Sequence, residues 1–250
     1  MAFGDQPAYL RVADELRKKI VAGDLPPHAR LPSQARIREE YGVSDTVALE
    51  ARKVLMAEGL VEGRSGSGTY VREQPVPRRL MRTGYHARGD SSPFRQEQGD
   101  DRVSATWESA SEQEGASPEI AERLRVEPGE RVMRTRYLFR AAGEPVMLST
   151  SWEPLAVTGR TPVMLPEDGP LAGRGVVDRM AAVDVVVDNV AEEVGARPGL
   201  AEEVLALGGV PGHVVLVISR TYFAGGRPVE TADVVTLAER YRVAYHLPVK

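Results

Sequence analysis

The chain has 250 residues, no cysteine and a formal charge of −4. That length suits two domains better than one, and the missing thiols exclude a disulfide framework or a cysteine-ligated metal. No run approaches the ~20 apolar residues of a membrane span and the first residues lack a signal peptide's apolar core, so the sequence predicts a cytoplasmic protein with no membrane partner.

Charge is unevenly placed. Through Glu73 there are 11 Lys and Arg against 11 Asp and Glu, and Arg78, Arg79, Arg82 and Arg88 bring the segment ending at Arg88 to +4, leaving −8 for the remainder. Positive charge in the first third has the right sign for a polyanionic partner. Because the excess is small, the sequence predicts a homodimer that doubles its phosphate contacts.

In chain order, Ala8 to Ala22 is a first helix, with Tyr9, Val12, Leu16 and Ile20 on one stripe and Gly23 ending it. GDLPPHARLPS follows as an extended stretch in which Leu25 and Leu31 are placed for burial beside a small sheet. Ser33 caps a second helix that Gly42 ends, and Ser44 caps a third that carries Val47, Ala48, Ala51, Val54 and Leu55 on its apolar side and stops at Gly59. Leu60 to Glu62 and Thr69 to Val71 read as two strands joined by RSGSG. A tight helix pair followed by such a hairpin outlines a winged helix-turn-helix, whose partner is double-stranded DNA. The candidate DNA contacts are Ser33, Arg36, Arg38, Ser44, Thr46, Arg52, Lys53, Arg64, Gly66, Ser67 and Gly68. Plainer readings stand beside some of them: Thr46 as a helix-start residue, Arg52 and Lys53 as a solvated face. Arg64 and the wing glycines have the better case, since a hairpin tip brings backbone N–H groups and a guanidinium close to phosphates.

Residues 74–101 read as a linker between a first domain over 1–73 and a second over 102–250. The linker's RGD carries no adhesion meaning, while Ser92 and Phe94 lie where a loop would enter a pocket.

The second domain contains a repeat. ASPEIAERL then ERVMRTRYLFRAAGEPVMLSTSWE parallels ARPGLAEEVL then HVVLVISRTYFAGGRPVETADVV. Each unit is a short helix, a strand, a glycine turn before proline and a returning strand, which makes a four-stranded antiparallel core. Val103 to Glu108 and Ala182 to Val190 supply further strands, and helices near Pro118 and Gly199 cover one face. The result is an α+β domain with a concave sheet able to hold a small molecule. Residues two apart on a strand share a face, so Arg134 and Arg136 point together, as do Ser149 and Ser151 on the returning strand. Two guanidiniums beside two hydroxyls would receive a carboxylate or phosphate, and the competing reading leaves the arginines on a solvated face. Glu230 and Tyr241 are placed for hydroxyl or amine groups of such a ligand. His28, His86, His213 and His246 are scattered, and Asp184 and Asp188 share a strand face without a third ligand, so no catalytic residue, metal site or cofactor is expected.

The succession G-D-L-P-P, L-P-S, Y-G-V-S, A-E-G-L-V and R-x-G-x-G-T-Y-V resembles the N-terminal domain of the GntR family of bacterial transcription regulators over residues 7–72. The second half resembles the UTRA effector-binding domain of its HutC-like subfamily, similar in fold to chorismate lyase. The resemblance there rests on Arg134 and Arg136, Gly143-Glu144-Pro145, Ser149 to Trp152, Gly226 to Glu230 and Arg240-Tyr241. It implies an operator-binding regulator, expected to be a repressor released by a small anionic effector, with these positions lining the effector site. The alternatives are a ligand-independent repressor and a lyase on the chorismate-lyase-like half, which a fused DNA reader disfavours. The chain departs from the family at the recognition helix, where family arginines are replaced by Asp45 and Leu49, and in the preceding helix, where Ala35 stands with Arg36 one position later. An aspartate there repels phosphate and accepts from cytosine. DNA contacts are therefore expected to shift to Arg36, Arg38, Arg52, Lys53 and the wing.

Overall fold

The computed structural model describes residues 6–64, 66–73, 77–81, 105–210 and 212–245. It divides into two compact units, Met1–Val76 and Pro77–Lys250.

In the first unit, α1 (Ala8–Ala22) buries Val12, Ala13 and Leu16 and ends at Gly23, whose φ of 85° is the left-handed conformation that glycine adopts at least cost. α2 (Gln34–Tyr41) starts at Ser33, whose hydroxyl accepts from the Arg36 N–H at 3.2 Å, and ends at left-handed Gly42. Only Gly42, Val43 and Ser44 separate it from α3 (Asp45–Ala57), where the Ser44 hydroxyl accepts from the Val47 N–H at 3.3 Å. Each such cap stabilises by about 1 kcal/mol. Ala48, Ala51 and Leu55 of α3 pack with Leu16, Leu31 and Ile37 in a continuous core. Arg17 to Glu58 and Lys19 to Glu40, both at 2.5 Å, tie α1 to the ends of the other two helices. The wing is β1 (Val61–Arg64) paired antiparallel with β2 (Gly68–Val71). Both strands extend further toward the tip than the sequence predicts. Residues 28–31 add an edge to β2 through the Leu31 N–H to Thr69 C=O bond at 2.8 Å, which buries Leu31.

In the second unit the strands are β3 (Arg78–Met81), β4 (Ala105–Gly115), β5 (Arg131–Ala141), β6 (Glu144–Pro154), β7 (Asn189–Pro198), β8 (Val214–Ala224), β9 (Arg227–Leu237) and β10 (Tyr241–Ala244). Six of them form one antiparallel sheet in the order β4-β5-β6-β9-β8-β7, so the two repeated hairpins lie side by side at its centre. β3, inside the stretch read as linker, pairs in parallel with β10 and buries Leu80 beside Tyr241. Residues 182–188, read as the start of a strand, are instead irregular; Asp184 has φ 60°, and the strand begins only at Asn189.

Two helices cover one face of the sheet. α4 (Pro118–Leu124) places Ile120 and Leu124 against Val132 and Trp152. α7 (Ala201–Ala206) places Val204 against Val215, Val235 and Leu237. The opposite face is roofed by residues 155–188, which include α5 (Leu155–Thr158) and α6 (Val176–Ala181), with Met180 packed on Tyr222 and Val229.

Which side chain faces which layer is decided by a bulge. The turn pairs Ala141 with Glu144 and Arg140 with Pro145, but Val146 is then passed over and Phe139 pairs with Met147, so Tyr137 pairs with Ser149 and Thr135 with Ser151. Continuing the turn's register would have paired Arg136 with Ser149 and Arg134 with Ser151, the arrangement read from the sequence. A one-residue slip sends every side chain to the other face. Arg134 and Arg136 therefore lie on the helix-covered face, and Ser149 and Ser151 on the roofed one. The second hairpin bulges at the equivalent place, between Tyr222 and Phe223.

Candidate functional site

The DNA-reading surface of a winged helix is the exposed side of its third helix together with the wing. Thr46, Leu49, Lys53 and Met56 are exposed there, Arg36 is exposed on α2, and Ser33 and Ser44 spend their hydroxyls on the helix caps. Several cations of this surface already carry a carboxylate. Arg38 meets Asp45 at 3.3 Å, Lys53 meets Glu50 at 2.8 Å, and Arg64 meets Glu62 at 3.0 Å while lying 4.6 Å from the centre of the Tyr70 ring. These pairs are solvent-exposed and individually weak, so phosphate oxygens can displace the carboxylates at small cost.

Arg52 differs from the solvated-face reading. Its guanidinium donates to the Thr69 hydroxyl, which is buried in β2, so it braces the wing against α3. At the tip, Gly66 has φ 68° and Gly68 φ 120°, and the Ser67 hydroxyl lies 2.7 Å from that of Tyr70. A Cβ on Gly68 would come within 2.9 Å of Arg30 Nε. Arg30 therefore lies against the wing tip, a cation beside the candidate face that no helical period or hairpin pattern singled out.

In the second unit a cavity of about 100 Å³ lies between the sheet and its roof. Tyr137, Ser149, Ser151, Arg220, Tyr222 and Glu230 face it from the sheet, and Glu167, Arg174 and Arg179 from the roof. Glu230 is 2% exposed, and its Oε2 has no hydrogen-bond partner among the described residues. Burial pushes its carboxyl up to about 7, with Glu153 adding to the rise and Arg220, Arg179 and Arg123 opposing it. Glu153 and Arg179 form a fully buried ion pair, and Arg179 also donates to the Val163 carbonyl at 3.1 Å. Burial pushes the Glu153 carboxyl above its usual range while Arg179 pulls it back. Burial also raises the Tyr137 hydroxyl, with Glu167 nearby adding to the rise. Glu167 accepts from the Trp107 indole N–H at 3.0 Å. Three guanidiniums, two serine hydroxyls and aromatic walls make a receptor for a small anion with apolar carbon.

Ser149, Ser151 and Glu230 thus meet in this cavity, whereas Arg134, Arg136 and Tyr241 do not. The bulge turns Arg134 toward Glu112 and Glu114 and leaves Arg136 61% exposed beside Glu112. Tyr241 is buried in β10 with Leu80. Ser92 and Phe94 lie outside the described residues. Arg174, Arg179 and Glu167 escaped the sequence reading because the roof carries no periodic pattern. Arg220 escaped it too, since the repeat places it where Tyr137 stands in the first unit, on the strand face opposite the one read as the ligand side. Across the sheet, Arg136, Thr150, Trp152, Arg197 and Asp233 border a more open groove of about 400 Å³ beside α7. Among the described residues no cluster of three or more metal-ligating side chains occurs, and no helix is long and apolar enough to cross a membrane.

A winged helix-turn-helix in one unit and a small-molecule cavity in the other define a ligand-sensing DNA-binding regulator. Residues 8–71 match the bacterial regulatory proteins of the gntR family, and residues 101–242 match the UTRA domain. The chain belongs to the GntR family, in its HutC-like branch with a UTRA effector-binding domain, and is a transcription regulator rather than an enzyme. It is 28% identical to the histidine utilization repressor of Pseudomonas putida over 97% of this chain and 93% of that one. It is also 28% identical to the mannosyl-D-glycerate transport/metabolism system repressor of Escherichia coli, over 62% of this chain and 61% of that protein. A solved structure assigned to the GntR-family transcriptional regulators is 79% identical, with a TM-score of 0.90 over 98% of this chain and 99% of that one.

Proposed function

We propose that the chain is a homodimeric cytoplasmic repressor whose first 73 residues hold a DNA operator and whose residues 102–250 dimerise and bind a small carboxylate- or phosphate-bearing metabolite that releases it. The observation carrying the effector reading is the convergence of Arg174, Arg179 and Arg220 with Ser149 and Ser151 on one cavity. DNA contacts fall to Arg36, Arg38, Thr46, Lys53, Arg64 and the backbone of Gly66, Ser67 and Gly68, with Arg52 positioning the wing. Release requires the ligand to prefer the conformation that does not bind DNA; a hundredfold switch needs about 3 kcal/mol of that preference.

A second reading places the effector in the helix-side groove, favoured by its larger volume of about 400 Å³ and by Arg136 at its rim. The test is a mobility shift on the DNA upstream of the chain's own gene, with and without a panel of organic acids and sugar phosphates. Arg220→Ala is expected to keep operator binding and lose the response. Loss of response in Arg136→Ala with Arg220→Ala unaffected moves the effector to the groove, and binding without sequence preference removes the repressor reading.

A further inference from the structure

The cavity's charge balance depends on one proton. Three guanidiniums, Arg174, Arg179 and Arg220, stand against three carboxyl groups, Glu153, Glu167 and Glu230. With all six of these described groups ionised their charges cancel. With Glu230 carrying its proton these six described groups sum to one positive charge, the match for a monoanion. Glu230 is the member built to change state. It is buried, its Oε2 has no hydrogen-bond partner among the described residues, and its side chain faces the cavity. Glu153 by contrast is committed to Arg179, and Glu167 accepts from Trp107.

We propose, resting on the anion-effector reading of this cavity, that the site binds a monoanionic acid together with a proton, Glu230 acting as the neutral donor that completes the anion's hydrogen-bond shell. The groups that face Glu230 agree with this. β8 brings Arg220, with Tyr222 paired opposite, β6 brings Glu153, α6 brings Arg179, the roof loop brings Arg174 and Glu167, and β5 brings Tyr137. From the helix-covered side Arg123 adds a weaker positive influence and is itself bonded to Asp233 at 2.8 Å. A ligand carboxylate placed among these groups lies beside Glu230, and a like charge that close disfavours the ionised form of an already buried carboxyl. The arginines are permanently charged and the serines do not titrate, so Glu230 takes up the proton. Its midpoint near 7 puts that uptake in the neutral range. The proton comes from solvent, and no covalent bond changes.

The experiment is calorimetry of benzoate binding to the full chain, at pH 6 and pH 8, each in two buffers of different protonation heat. Benzoate is a monoanion whose ring suits the Tyr137, Phe139 and Tyr222 walls, and binding counts as cavity binding when Arg220→Ala abolishes it. The expected result is uptake of nearly one proton at pH 8 and almost none at pH 6, with affinity about tenfold weaker at pH 8. In Glu230→Gln, whatever benzoate still binds does so without uptake at either pH, and the wild-type buffer pairs decide the matter even if that variant fails to fold. Cavity binding at pH 8 with no proton uptake overturns this inference and leaves the anion reading standing. Failure of benzoate, acetate and inorganic phosphate all to bind at pH 6 overturns the anion reading and this inference together.

Discussion

Replacing Glu230 by glutamine should make the second unit more stable as pH rises. The Glu230 carboxyl moves from an ordinary value of 4.5 to about 7 on folding, because burial penalises its charged form. An acid raised by folding contributes its full stability below the unfolded value and loses it as pH climbs through the folded one. The loss is complete a little above pH 7 and amounts to about 3 kcal/mol for a shift of this size. Glutamine keeps the volume and cannot ionise, so it escapes the loss. Urea unfolding at half-unit steps from pH 5 to 8.5 reads the difference directly. Trp107 and Trp152 are the chain's two tryptophans and both lie in the second unit, so fluorescence follows that unit alone. The variant should match the wild type near pH 4.5 and exceed it by about 3 kcal/mol at pH 8. A stability difference that stays flat across the range would refute the claim that burial holds Glu230 neutral, and the charge balance of the cavity would have to be redrawn.

Glu153→Gln leaves the Arg179 guanidinium buried without its counter-charge, which should cost about 3–5 kcal/mol in the same fluorescence assay; a cost under 1 kcal/mol would mean that water reaches the pair. Asp45→Ala frees Arg38 from its carboxylate and removes a negative charge from the DNA-reading face. Anisotropy titrations over a salt series should show tighter operator binding and a slope of log affinity against log salt steeper by about 0.9. Arg64→Ala should change that slope by a similar amount in the opposite sense. Gly68→Ala forces a side chain into φ 120° and against Arg30, which should cost about 1–3 kcal/mol and weaken DNA binding in the same titration.

The first unit was legible nearly to the residue because its signals are local. Ser33, Ser44, Gly23 and Gly42 cap or stop helices by hydrogen bonds and φ values that depend on a few neighbours, and the stripes at Leu16, Ala51 and Leu55 repeat at the helical period. The repeat in the second half likewise revealed the paired hairpins and the helices that precede them. What failed was parity. A bulge adds one residue to one strand and leaves no compositional trace, since the extra residue, Val146, is an ordinary strand residue, yet it decides that Ser149 faces the cavity and Arg136 does not. β3 and β10 escaped for another reason: they are four residues each and meet only through a parallel pairing across some 160 positions of sequence. The recognition surface was half legible, since Arg52 has the right chemistry for phosphate and only packing shows it held by Thr69.

The recurring bulge has a meaning for how such a domain could change what it senses. Each central strand carries two alternating sets of side chains, and only the slip at Phe139 and at Tyr222 selects which set is shown to the roofed cavity. Were the first bulge lost and its extra residue, Val146, paired with Phe139, Arg136 would stand opposite Ser149 and Arg134 opposite Ser151, bringing the arginines onto the serines' face in place of Tyr137 and Thr135. Losing the bulge at Val229 would exchange the sets of the second hairpin in the same way. Loss of either bulge would therefore rewrite the chemistry of the cavity at a stroke, whereas point substitutions alter it one group at a time.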